Sequence, residues 1–173
     1  MNEFWHSTGI TKPVTSDYTM TFRWGVGSQL TLAEMQKLPA TATALGKVFH
    51  RMWNREPDKA AAVGLTNPTF TQYLVEWAEQ LLNGPARADT KAAFYRLLAE
   101  QPGINLVTGV TDPMDRTGVA VGDGGGDYLV IDPGSARLID YVPGPVRPDS
   151  TIQGLGVTVY IATGWTDQLG VTP

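Results

Sequence analysis

The 173-residue chain contains no cysteine. That removes disulfide staples, thiolate nucleophiles and Cys-ligated zinc. It leaves the compartment open, because a cysteine-free domain suits either side of a membrane. Histidine is scarce too: His6 and His50 are the two in the chain, too few for a dedicated zinc site unless carboxylates join them. No apolar run reaches the ~18 residues that a spanning helix needs. Charged residues make up 17%, and the 13 Lys and Arg are scattered singly in a chain of net charge −4. With no basic stripe to neutralise phosphates, nucleic acid is not expected as a partner.

What is present is a globular composition, 42% hydrophobic, broken by 19 glycines and 12 prolines. That length can bury a core without staples, and the punctuation implies many short elements. The opening MNEFWHSTG has neither the basic nor the apolar region of a secretion signal. It passes at once into a strand-like Glu3–His6. The expectation is one α+β domain over 1–173, excised from a longer membrane-anchored chain, with Met1 supplied for expression.

Residues 17–24 alternate, Tyr18, Met20, Phe22 and Trp24 against Thr19, Thr21 and Arg23, as a half-buried antiparallel strand does. Gly25 and Gly27 end it. Helices are expected over 31–37, where Thr31 and Glu34 have capping-box spacing, and over 41–54, on the periodicity of Leu45, Val48, Phe49, Met52 and Trp53. A third, over 69–83, carries a stripe from Phe70 and Tyr73 through Trp77 to Leu82 and stops at Asn83-Gly84-Pro85. A fourth runs from Asp89 or Thr90 to about Gln101, and 55–68 is ambiguous. After Gly103 the period switches. Strands near 104–111, 116–122, 127–132, 136–142 and 154–163 are joined by short Asp-, Pro- and Gly-rich turns, in one of which Gly134 can supply a positive φ. Helices followed by consecutive strands imply an α+β fold: a curved antiparallel meander with three to four helices inserted after the N-terminal strands and packed on one face.

The stretches that look chemical read better as structure. GDGGGD at 122–127 looks like a phosphate loop, but a strand follows it, where a dinucleotide fingerprint needs a helix. Asp112, Asp115, Asp123, Asp127 and Asp132 are dense, yet they do not have EF-hand spacing and sit where turns need Asp. No serine lies in a nucleophile elbow. His50 reads as a rim or packing residue, and Glu76 and Glu79 as solvent-facing. No catalytic residue, metal or cofactor is assigned. The aromatic set is the more informative feature. It forms a core between helices and sheet or, in a sharper reading, lines an apolar cleft there for a greasy ligand. The residues expected at such a cleft are Trp24, Trp53, Tyr73, Trp77 and Phe94.

Several stretches, in order, carry a family resemblance: EFWHSTG at 3–9, KLPATATAL at 37–45, TKAAFYRLLAEQPGINLVTGVTDPMDRTGVAV at 90–121, YLVIDPGSARLIDY at 128–141 and YIATGWTDQ at 160–168. This set resembles a family of actinobacterial membrane-anchored proteins encoded beside extracytoplasmic-function sigma factors. The resemblance covers residues 3 to 168 and implies an extracytoplasmic domain that, in the family, follows a cytoplasmic segment and one transmembrane helix. Neither the anchor nor the cytoplasmic segment is expected within these 173 residues. The shared motifs are turn and packing signatures, so no residue role is carried over. The function expected is a non-enzymatic sensor or interaction domain of a regulator linked to sigma-factor signalling, with an unidentified protein partner or a small apolar ligand. A lipophilic-ligand carrier is the alternative, and a hydrolase using His6 or His50 the third reading.

Overall fold

The computed structural model describes residues 2–4, 14–16, 21–124, 126–154 and 156–161. Trp5, His6, Tyr18 and the GWTD stretch lie outside them. Two short antiparallel pairs come first: β1 (Asn2–Phe4) with β2 (Val14–Ser16), and β3 (Thr21–Arg23) with β4 (Gln29–Thr31). Six helical segments follow: α1 (Leu32–Gln36), α2 (Ala42–Arg55), α3 (Lys59–Val63), α4 (Phe70–Glu76), α5 (Ala78–Leu82) and α6 (Ala88–Ala99). The remaining strands form one antiparallel sheet in sequence order: β5 (Asn105–Thr111), β6 (Thr117–Gly122), β7 (Tyr128–Asp132), β8 (Arg137–Val142) and β9 (Thr158–Val159). The fold is α+β, and the meander expected from the turn spacing is present.

Local chemistry accounts for the boundaries. Thr31 and Glu34 form the anticipated capping box on α1, and Thr69 with Gln72 forms another on α4. Each satisfies two of the amides that a helix start leaves unpaired. The ambiguous stretch contains α3, capped by Asp58 and ended by left-handed Gly64. The long helix expected over 69–83 is instead two: at Trp77 the backbone tightens to φ −100°, ψ 5° and its N–H is shared between Tyr73 and Val75 carbonyls. The Trp77 indole N–H donates to Ala62 O at 2.9 Å, so the ring is pulled onto α3 at the break. β9 starts later than expected because Gly154 and Gly156 have φ of 139° and 86°, outside extended geometry. In the β7–β8 turn the left-handed residue is Ala136, not Gly134. Asp132 organises that turn by accepting from the Gly134 amide and the Ser135 hydroxyl.

β7 and β8 are buried on both faces. Leu129, Ile131 and Leu138 point into the main core with α2, α4, α5 and α6. Val107, Val110, Ala120, Tyr128, Val130, Ile139 and Val142 form a second core, closed by Ile152, Val146 and Val157 of the long connection before β9. The β5 edge is partly covered by the same connection: Asp149 N–H donates to Thr108 O, and Thr111 N–H to Ser150 O. Gly109, at φ 72°, permits this, because a Cβ there would lie 2.1 Å from the Asp149 carboxylate.

The β3–β4 hairpin is held by a buried charge. Glu56, 4% exposed, accepts from Val26 N–H at 3.0 Å and Gly27 N–H at 2.9 Å. A Cβ on Gly25 (φ 82°) would sit 2.0 Å from Glu56 Oε2, so glycine there is a condition of the clamp. An amide cannot replace the carboxylate, because its NH2 would face a backbone donor. Glu56→Gln is therefore expected to destabilise the fold by about 1–3 kcal/mol in urea denaturation. An unchanged midpoint would show that the clamp contributes nothing.

Candidate functional site

The five aromatic residues expected at a cleft are brought together, but as packing. Trp24 stacks on Phe49 at 4.4 Å between centroids, and Phe94 meets both edge-on at 6.1 and 5.8 Å. Trp24, Tyr73 and Phe94 are fully buried, and the Tyr73 hydroxyl donates to Trp24 O at 3.3 Å. Trp53 and Trp77 are half-buried. Trp53 tilts against Tyr73 at 5.1 Å beneath the Lys59 ammonium, and the Arg23 guanidinium lies 6.0 Å from the Trp77 ring. None of these five residues lines any of the cavities described below. Rings of this size fill the interlayer space by stacking on one another.

An apolar groove does lie between helices and sheet, one step further along. α5 and α6 cover β7 and β8, and the sheet continues two strands beyond their edge. The uncovered strip is a groove of about 320 Å³. One wall is Tyr95, Leu98 and Ala99 of α6, and the floor includes Ile104, Val119, Val121 and Ile131. Leu106 stands at its rim, 68% exposed. The strand register explains the floor, since Leu106 pairs with Val121 and Val119 with Ile131, so these side chains share the helix-side face. On the other side of Tyr95 is a second groove of about 300 Å³, whose lining includes Lys91, Asn83, Ser135 and Arg137. The Tyr95 hydroxyl donates to Ala136 O at 2.8 Å, fixing the ring between the two. Burial lifts that phenol to about 12.

The polar residues singled out in the sequence are engaged in the scaffold. His50 lies on the Phe70 ring at 3.6 Å, at the rim. Asp112 accepts from Met114 N–H, Arg116 N–H and the Arg116 side chain. Arg116 also donates to Tyr160 O and Ile139 O, tying the β5–β6 turn to β8 and the segment after β9. Glu76 corrects the solvent-facing expectation: it is half-buried and meets the Tyr141 hydroxyl at 3.1 Å, which donates to Asp127 at 2.6 Å. One phenolic proton cannot serve two carboxylates, and burial raises the Glu76 pKa. The group joins α4 to β8 through direct hydrogen bonds. Among the described residues no three His, Asp or Glu are placed to hold a metal ion.

Asp140 is fully buried with both carboxylate oxygens lacking hydrogen bonds, 3.8 Å from Arg116. Burial, then the nearby Asp112 charge, push it up to about 6 against the opposing pull of Arg116. A carboxyl raised from its ordinary 3.8 binds more proton folded than unfolded, so it favours the fold below that value and loses this contribution as pH rises to about 6. Stability is expected to fall between those limits, and Asp140→Asn to flatten the fall in denaturation midpoints measured across pH 4 to 7. An unaltered slope in the variant would exclude Asp140 as its source. No family model, no curated protein and no solved structure matches this chain.

Proposed function

We propose that the chain is a non-enzymatic binding domain whose ligand is a small apolar molecule held in the groove between α6 and strands β5–β7. The observation that carries this is the groove itself: aliphatic side chains from four elements converge on a concavity open to solvent, with Leu106 at its edge. A soluble fold normally hides such surface, and a well-formed apolar concavity is the default place for a ligand. About 320 Å³ is near the lower limit for small-molecule sites.

The resemblance of residues 3 to 168 to membrane-anchored proteins encoded beside extracytoplasmic-function sigma factors extends the proposal. In that setting the domain lies outside the cytoplasm and acts as the sensor of a regulator, the ligand shifting its receptor between states by differential affinity. No described helix is long and apolar enough to cross a membrane. A carrier would use the same groove, and co-purification of ligand in native mass spectrometry would favour it.

The test is saturable binding of a fluorescent apolar probe, N-phenyl-1-naphthylamine. The wild-type protein is expected to bind it at one site. Leu106→Lys is expected to weaken binding at least tenfold, about 1.4 kcal/mol, without shifting the melting temperature, since Leu106 is exposed. Absence of saturable binding, or equal binding by Leu106→Lys, would remove the groove as the ligand site.

A further inference from the structure

We propose that Asp140 is the catch of a pH-operated release built into the sheet: ionisation of its carboxyl frees β9 and the two residues after it from the outer edge of β8. The device lies on the face of the sheet opposite the apolar groove, since Asp140 pairs with Val130, whose side chain belongs to the second core. It operates independently of any ligand in the groove.

Asp140 is a buried acid that the scaffold leaves undercompensated. Its side chain is fully buried, and neither carboxylate oxygen receives a hydrogen bond from the described residues. The charged and titratable groups around it are Asp112 from the end of β5, Arg116 from the β5–β6 turn and the Tyr160 phenol after β9. β7 presents Val130 and β9 presents Val159, neither of them titratable. One guanidinium therefore serves two buried carboxylates, and Asp112 already holds its Nε. Asp140 Oδ1 stands 3.8 Å from Arg116 Nη2, beyond hydrogen-bond length. Ionising a buried carboxyl on those terms is unfavourable. Burial, then the Asp112 charge, accordingly raise its pKa to about 6. Below that value the group is neutral and the packing is undisturbed. Above it a second negative charge enters the core.

β9 is the element that answers, because it is the shortest strand of the sheet and the one paired directly with Asp140. Its ladder consists of Val159 with Asp140 and Thr158 with Tyr141. Thr158 and Ile161 are exposed, so little apolar burial opposes release. Beyond the ladder, the Tyr160 N–H donates to Ile139 O at 2.8 Å. Arg116 donates from Nη1 to Tyr160 O at 2.9 Å and from Nη2 to Ile139 O at 3.2 Å. The same guanidinium thus secures both sides of this junction. It is rigid and planar, so closing the gap to an ionised Asp140 draws it off those carbonyls. Release of β9 lets water reach the carboxylate and uncovers the β8 edge at Asp140 and Tyr141. The edge is closed in acid and opens toward neutral pH.

The test is amide hydrogen exchange of the whole chain, followed by NMR between pH 4 and 7 and corrected for intrinsic exchange. The Tyr160 amide reports release of β9, and the Phe94 amide inside α6 reports global unfolding. On release the Asp140 pKa returns from about 6 to its ordinary 3.8. The opening constant at Tyr160 is therefore expected to rise about tenfold or more over that range and to level off above about pH 6. It is also expected to exceed the constant at Phe94 throughout. Asp140→Asn and Asp140→Leu are each expected to remove the rise, Asp140→Leu carrying the test if Asp140→Asn does not fold. Glu76→Gln, which removes another carboxyl raised by burial, is expected to retain it. A flat Tyr160 profile in the wild type, or equal constants at Tyr160 and Phe94, overturns the local release. A rise that survives in the Asp140 variants, or vanishes in Glu76→Gln, assigns the proton to another group and overturns the proposal.

Discussion

The structure depends on a mismatch of widths. β7 reads Tyr-Leu-Val-Ile and is buried on both faces, so the sheet needs a layer on each side. The helices of residues 32–99 provide one, and the connection after β8 provides the other. The helical layer is narrower than the sheet. α5 and α6 seal β7 and β8, and the apolar side chains of β5 and β6 on the same face continue past the α6 edge. A complete cover would have given an ordinary two-layer domain; the incomplete one leaves a groove.

Anchoring keeps that edge in place. The Trp24–Phe49–Phe94 stack joins the β3–β4 hairpin to α2 and α6, and the Glu56 carboxylate clamps the hairpin turn by its amides. Across the sheet, Tyr141 links α4 to β8 through Glu76 and Asp127, and Arg116 crosses from the β5–β6 turn to β8. Each is a directional interaction between elements distant in sequence. Together they fix α6 over β7 and β8, and hence the position of Tyr95 and Lys91.

Two of the acidic residues that make the sequence look metal-binding are turn organisers: Asp112 and Asp132 accept from amides two to four residues on. That is ordinary Asx chemistry.

Sequence alone determined what depends on neighbours along the chain. Capping at Thr31 and Thr69, the meander of β5 to β8, the turn role of Asp112 and Asp132 and the placement of the large aromatics between layers all follow from spacing, because caps, turns and side-chain alternation are local. Glu56 as a clamp, Glu76 turned inward and the break at Trp77 were not legible, since each answers to a partner far along the chain. The site shows the same division. An apolar surface between helices and sheet was readable, and its residues were sought among the largest rings, which packing consumed. The exposed strip fell to smaller side chains, Ile104, Leu106, Val119 and Val121, left uncovered by the width of the helical layer. That width is a property of how helices pack on a sheet, and only the tertiary structure decides it.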